Sequence, residues 1–250
     1  MSNTINLSIV IPAYNEGNRI SDTITATYQY LSEKKLNFEI IVVDDGSSDT
    51  TIEILRAFQK DMPALKIIRH KFNQGKGAAV KTGMLTAQGE YVLFMDADLA
   101  TPIEQLVKMW TNKDQADIVI GSRYLKPGSI KTPQPFHRKI IARLGNFAIR
   151  TLLNINIQDT QCGFKMFKKN VAKDLFLRQS LTGFSFDIEI LALSKVLDYS
   201  VKEVAVDWHD KAGSHVDPIK DSLTVFQDVL KIRSLINSSL QHNSTYTQKV

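Results

Sequence analysis

A chain of 250 residues with 43% hydrophobic content is long enough to bury a full core in one domain and needs no second one. Lys and Arg number 31 against 26 Asp and Glu, and the resulting charge of +5 favours anionic partners such as phosphorylated substrates, a membrane surface or nucleic acid. The lone Cys162 excludes an internal disulfide, no stretch reaches the ~18 uninterrupted apolar residues of a membrane span, and MSNTINLSIV lacks a secretory signal pattern. The expectation is a cytoplasmic chain whose contact with the inner face of a membrane, where it has one, is peripheral.

From Leu7 to Ser122 short apolar runs alternate with helical patterns, as in βα units around a mainly parallel sheet. The runs predict strands at Leu7 to Pro12, Phe38 to Val43, Leu65 to Arg69, Tyr91 to Met95 and Ile118 to Ile120, several of them continuous enough to be covered on both faces. Between them Ile20, Ile24, Tyr28 and Leu31 keep helical spacing, as do Ile52, Leu55 and Phe58, and Ile103, Leu106, Val107 and Trp110. Ser48 and Thr101 stand where helix N-caps belong. A loop holding Pro127, Gly128, Pro133 and Pro135 then leads to a helix from about Phe136 to Leu153. A strand at GFKMF, a helix at Phe186 to Leu197, a strand at Val201 to Val206 and an amphipathic helix from Pro218 to about Leu240 complete the pattern. Residues 1–240 thus read as one α/β domain, with halves at 7–123 and 124–240, and the polar stretch 241–250 reads as a disordered tail.

Ligands bind parallel α/β sheets at the carboxyl ends of the strands. Just past the five predicted strands come Pro12 to Glu16, then Asp44, Asp45 and Gly46, then Asn73, Gly75, Lys76 and Gly77, then Asp96 and Asp98, and finally Arg123. Asp96 and Asp98 carry the most weight, because two carboxylates two residues apart at a strand end can face one hard cation and so hold a diphosphate leaving group. The plain alternative has them cap the helix near Pro102; the apolar strand before them and a second acidic strand end at Asp44-Asp45 argue against it. At that second end a carboxylate can accept hydrogen bonds from a base or ribose while Tyr14 stacks on a nucleobase. Gly75-Lys76-Gly77-Ala78-Ala79 imitates a dinucleotide fingerprint, but it follows the third strand rather than the first, which disfavours an NAD-dependent dehydrogenase. Arg123, Arg138, Lys139, Arg143 and Arg150 form a basic stretch suited to phosphates. On the 136–153 helix, Lys139, Arg143, Asn146 and Arg150 share one face opposite Ile140, Leu144, Phe147 and Leu152. That arrangement suits a surface helix or one lying on an anionic membrane.

Taken in order, IVIPAYNEGNRI, VVDDGSSDTT, NQGKGAAVKTG, MDADLATP, IGSRY, DTQCGFKMF, GFSFDIEIL and VAVDWHDKAGS resemble glycosyltransferase family 2, above all its polyprenyl-phosphate branch of dolichyl-phosphate glucosyl- and mannosyltransferases. The resemblance runs from about Leu7 to Arg233. It implies a GT-A fold, a Mg2+ or Mn2+ cofactor held by Asp96 and Asp98, and inversion at the sugar carbon. It also implies a nucleotide-sugar site made of Pro12, Tyr14, Asn15, Glu16, Asp44, Asp45, Lys76, Gly77, Asp96, Ala97 and Asp98. Asp96, Asp98, Asp159 and Arg123 become the catalytic candidates, and Arg123, Arg138, Gln161, Phe186, Asp187, Glu189 and Ser214 the acceptor and phosphate side.

DTQCGFKMF, FDIEIL and VDWHDKAGS look more like the glucosyl branch, which uses UDP-glucose, than the GDP-mannose branch. Two positions depart from the family pattern: Ala100 stands where mannosyl relatives often carry a Gln metal ligand, and His215 replaces the usual Lys after Gly-Ser. The expected partners are therefore a nucleotide-diphosphate sugar, a polyprenyl phosphate and a membrane surface, with nucleic acid excluded and a homo-oligomer as a further candidate. The competing expectations are a GDP-mannose donor, a non-lipid glycan acceptor, and a sugar-nucleotide-binding module without catalysis.

Overall fold

The computed structural model describes residues 4–132, 136–211 and 224–236, the side chains of 136–142 excepted. Seven strands form one sheet, β1 (Leu7–Ala13), β2 (Phe38–Asp44), β3 (Leu65–Arg69), β4 (Tyr91–Met95), β5 (Ile118–Ser122), β6 (Phe164–Lys168) and β7 (Val201–Ala205). The spatial order is β3-β2-β1-β4-β6-β5-β7. All neighbouring pairs run parallel except those that β6 makes with β4 and β5. Strand order reverses between β1 and β4, and at such a switch point the helices leave on opposite faces and open a crevice at the strand ends. Because β6 is antiparallel, its beginning, at Gly163 and Phe164, lies beside the carboxyl end of β4.

The strands are apolar on both faces, and each face has its own core. On one, Ile9, Ile11, Ile40, Val42, Leu93 and Met95 pack with α1 (Ile20–Glu33), α2 (Thr51–Asp61) and α4 (Leu106–Thr111). On the other, Val10, Ile41, Val43, Val92 and Phe94 meet α3 (Lys76–Thr86), α6 (Lys169–Arg178) and α7 (Phe186–Val196). Ile149 and Leu153 of α5 (Phe136–Leu153) and Val229 and Ile232 of α8 (residues 224–236) join this second core. Successive strand side chains point to opposite faces, which is why Ile9 and Val10 belong to different cores.

Several expectations change on contact with the structure. Ser48 does not cap α2; its N–H donates to Asn15 Oδ1, and Asp49 Oδ1 instead receives the Thr51 N–H at 3.0 Å. Thr101 does not cap a helix either, since Pro102 precedes a short 3-10 turn at Ile103–Gln105. Helices α3 and α6 were not expected. The inward face of α3 is built from Gly77, Ala79, Val80, Gly83 and Met84, and with Gly or Ala at three of these five positions it leaves no strong apolar stripe to read. The range of α5 matches its expectation, but the expected polar and apolar faces do not divide cleanly into outside and inside: Arg143 is exposed and Leu152 packs on the core. Asn146 turns inward, whereas Leu144 is 63% and Phe147 65% exposed. The ends of the expected 218–240 helix, residue 214 and the tail 241–250 lie outside the described residues.

Candidate active site

At the β1 and β2 ends a mesh of neutral hydrogen bonds fixes the backbone. Asp45 N–H donates to Ala13 O at 2.8 Å, Asn15 N–H to Ser47 Oγ at 2.9 Å, and Glu16 N–H to Thr51 Oγ1 at 2.8 Å. Asp45 then carries the loop that follows β3: its Oδ1 receives Gln74 N–H at 3.0 Å and lies 2.6 Å from His70 Nδ1, and its Oδ2 receives Gly75 N–H at 2.8 Å. Gly75 has φ +102°, and a Cβ there would stand 2.4 Å from Thr182 O, so no other residue fits without moving the neighbouring loop. This mesh leaves Tyr14, 40% exposed, at the rim of a cleft of about 640 Å3.

At the floor of that cleft stand Asp96 and Asp98. Asp96 N–H donates to Gly163 O at 3.1 Å, and a Cβ on residue 163 would lie 2.0 Å from Asp96 Oδ2, so the glycine makes room for the carboxylate. No hydrogen bond of good geometry claims the buried Asp96 Oδ1, although Lys76 Nζ lies 2.6 Å away as an ion pair. Asp98 Oδ1 receives Ala100 N–H at 2.9 Å across a turn in which Leu99 takes φ +53°, a conformation uncommon outside glycine. Burial, reinforced by the neighbouring Asp96, pushes the Asp98 carboxyl above its ordinary value.

The far wall is held by charge. Arg123 grips Asp159 through Nε at 2.7 Å and Nη2 at 2.8 Å, and its backbone N–H donates to the same carboxylate at 2.9 Å. The rings of Tyr124 and Trp208 each lie 5.5 Å from the guanidinium. Burial works against the Asp159 charge, but Arg123 outweighs it and holds the carboxyl below the usual range. Glu203 and Asn146 tie the 158–160 backbone from opposite sides: Glu203 accepts the Gln158 and Asp159 N–H groups, and Asn146 Oδ1 accepts from Thr160. A second buried pair, Lys165 with Asp187, closes to 2.5 Å, and Lys165 Nζ also donates to Cys162 O at 2.6 Å. Here burial prevails and pushes the Asp187 carboxyl up in spite of Lys165. Cys162, enclosed among these groups, has its thiol pushed up by burial to about 12, so it stays protonated and unreactive.

The structure gathers Pro12, Tyr14, Glu16, Asp45, Lys76, Asp96, Ala97, Asp98, Arg123, Asp159, Gln161 and Asp187 around this one cleft. Other candidates are placed elsewhere. Asp44 is fully buried, takes Ser47 N–H on Oδ1 and pairs with Arg69 at 3.0 Å. Asn15 uses its amide oxygen on Ser48 N–H, and Gly77 packs against Leu181 O. Phe186 stacks edge-on to Phe94 in the core. Glu189 lies beneath the 180–181 loop and accepts the Ser180 and Leu181 N–H groups. The Arg138 side chain and Ser214 lie outside what the structure describes.

Arg19, Tyr124, Phe184 and Trp208, which no strand-end motif marks, also line the cleft, as does Asn146 of α5. Arg19 was accessible from sequence, at the N-cap of α1 and three residues after Glu16, whose two carboxylate oxygens grip its guanidinium. Lys165 was accessible too, as a lysine inside the otherwise apolar β6.

The fold has counterparts among solved structures. Glucosyl-3-phosphoglycerate synthase from Mycobacterium tuberculosis, solved with Mn2+, uridine diphosphate and glucosyl-3-phosphoglycerate, superposes with a TM-score of 0.65 at 20% identity, covering 92% of this chain and 80% of that one. S. aureus TarS 1-349 in complex with UDP-GlcNAc gives 0.57 at 20% identity, over 91% and 66% of the two chains. These likenesses make the architecture a GT-A fold. Along the sequence, the dolichyl-phosphate beta-glucosyltransferase of Dictyostelium discoideum is 35% identical over 92% of this chain and 74% of its own. Those of Drosophila melanogaster and Saccharomyces cerevisiae are each 34% identical, over 92% and 91% of this chain and 75% and 74% of theirs. The model of glycosyl transferase family 2 matches residues 8–176, and with relatives of that identity along most of its length, this chain belongs to glycosyl transferase family 2 and is a glycosyltransferase.

Proposed function

We propose that the protein transfers glucose from UDP-glucose to a polyprenyl phosphate of the dolichyl type, with inversion at the sugar carbon, as one domain working at a membrane surface. The observation that carries this reading is the pair Asp96 and Asp98 on the floor of a cleft whose opposite wall is the Arg123–Asp159 pair. The names of its relatives support the sugar and the acceptor.

The residues present fit a divalent ion. Two carboxylates stand at one strand end, the buried Asp96 Oδ1 has an ion pair with Lys76 as its one partner, and hard cations take such oxygens. Among the described residues no group of three His, Cys, Asp or Glu is assembled, and a bound ion would take its remaining ligands from substrate phosphates and water. Mg2+ or Mn2+ bound there would supply positive charge to the diphosphate as it leaves. In the transfer itself a phosphate oxygen of the acceptor attacks the anomeric carbon while the bond from that carbon to the diphosphate oxygen breaks, and UDP carries the electron pair away. The acceptor phosphate is already anionic near neutral pH, so the chain's task is to orient it rather than to deprotonate it. Arg123, locked by Asp159 and flanked by Tyr124 and Trp208, is the group placed to do so.

The membrane part of the reading rests on α5 and α8. Both bury one side in the same core, yet Leu144 and Phe147 on α5 and Phe226, Leu230 and Leu235 on α8 remain exposed, with Arg143 exposed beside them. An apolar strip next to a cation suits an anionic lipid surface. Among the described residues no helix is long and apolar enough to cross a membrane.

The test is product formation from UDP-glucose, GDP-mannose and UDP-GlcNAc, each with a short polyprenyl phosphate and Mg2+ or Mn2+. UDP-glucose should be preferred, and Asp98→Asn should reduce turnover by about a thousandfold or more, the scale of losing one main electrostatic stabiliser. Preference for GDP-mannose, or full activity of the variant without metal, refutes the proposal.

A further inference from the structure

We propose that Lys76 is a built-in counter-cation for Asp96, which a divalent ion must displace before the carboxylate pair can hold it. The inference rests on the metal reading above and adds to it a role for a residue of the chain itself. Asp96 has little freedom: its N–H is bonded to Gly163 O, and its Oδ2 fills the space that a side chain at 163 would need. Its Oδ1 therefore faces one way, and the Lys76 ammonium stands there at 2.6 Å. Lys76 is held at its root. It opens α3 directly after Gly75, whose N–H is bound by Asp45 Oδ2 and whose missing side chain admits Thr182 O. From there its flexible stem brings the ammonium 5.6 Å from the Phe94 ring centre and 5.8 Å from that of Phe184.

An ammonium and a divalent ion cannot share one carboxylate oxygen at contact distance, since like charges so close repel by several kcal/mol even at an effective dielectric of ~20. The free protein thus holds Lys76 where the ion belongs, and a nucleotide diphosphate offers the displaced ammonium a new anion. Metal and nucleotide should therefore bind cooperatively, each tightening the other by the same factor.

Mn2+ binding, followed by the electron paramagnetic resonance of the free ion, tests this without turnover. In the absence of nucleotide, Lys76→Met should bind Mn2+ at least about tenfold more tightly than the wild type, because a repelling charge has gone. Lys76→Arg, which keeps the charge, should stay as weak as the wild type, and the tightening caused by UDP should shrink in Lys76→Met. Equal or weaker Mn2+ binding by Lys76→Met overturns the proposal, as does Mn2+ binding by Lys76→Arg as tight as by Lys76→Met. Failure of both the wild type and Lys76→Met to bind Mn2+, with and without UDP, refutes the underlying metal reading as well.

Discussion

The two sides of the cleft differ in the balance of forces that builds them. At the ends of β1 and β2, and in the loop after β3, backbone positions are set chiefly by hydrogen bonds in which Asp45, Asn15, Ser47 and Thr51 meet N–H groups, alongside the ion pairs Arg19–Glu16 and Arg69–Asp44. At the ends of β4 and β5 and the start of β6, they are set by ion pairs: Lys76 with Asp96, Arg123 with Asp159, Lys165 with Asp187. A hydrogen-bonded mesh suits a part that must keep one shape, because each bond is directional and an unmade one is costly when buried. Ion pairs suit a part where charge arrives and departs, because an anionic substrate or a cation can exchange with a partner already present. The division follows the chemistry expected of a nucleoside on one side and of phosphates in transfer on the other.

The comparison is broken most severely at Lys165. Lys165→Met would leave the Asp187 carboxylate without its partner in the core, and opening a buried pair from one end costs about 3–5 kcal/mol. In a domain of this size that is roughly a 10 °C fall in Tm, readable by calorimetry. Lys165→Met combined with Asp187→Leu should recover much of the loss, because both charges are then gone. If the single variant melts with the wild type, the pair is not what holds β6 against α7.

Asp45 offers the matching cut on the other side. Asp45→Ala leaves the Gln74 and Gly75 N–H groups and His70 without their acceptor, for an expected loss of about 2–3 kcal/mol in urea unfolding. The loop it suspends also carries Lys76, so the KM for the sugar nucleotide should rise more than kcat falls. An unchanged KM would show that the loop keeps its place without Asp45.

How far the sequence discloses this arrangement depends on the range of the forces involved. Strands β3 and β4 are read at their true limits, because continuous apolar runs between turn residues admit few alternatives. The acidic pair past β4 and the arginine past β5 follow from the rule that strand ends face ligands. The facing of α5 was not legible in the same way: periodicity separates two sides of a helix without saying which of them meets the core. Asn146 turns inward because the 158–160 loop needs its amide, a demand set by residues twelve and fourteen positions away. Within Asp44-Asp45 the sequence does not say which carboxylate does what; Asp45 lines the cleft while its oxygens meet His70 and the 74–75 backbone, partners visible only once β2 and β3 lie side by side. Phe184 and Trp208 enter the cleft from loops far from any strand-end motif, and nothing in their local sequence signals it.

The finest difference lies within the ion-paired side, between its two buried carboxylates. Asp159 is held below the ordinary aspartate value of 3.8, since Arg123 overcomes burial. Asp187 is held above that value, since burial overcomes Lys165. Linkage gives these shifts opposite signs. A depressed carboxyl contributes stability that is fully present above its unfolded value and is lost as pH falls through the folded one. A raised carboxyl weakens the fold as pH climbs from the unfolded value through the folded one. The stability gap between wild type and Asp159→Asn should therefore be flat near neutrality and narrow on acidification below 3.8. The corresponding gap for Asp187→Asn should widen in favour of the wild type as pH drops from its raised value toward 3.8. Urea midpoints measured for the three proteins between pH ~3 and ~7 read both slopes. Slopes of the same sign would mean that one force governs both carboxylates, and the contrast between an arginine strong enough to overcome burial and a lysine that is not would have to be given up.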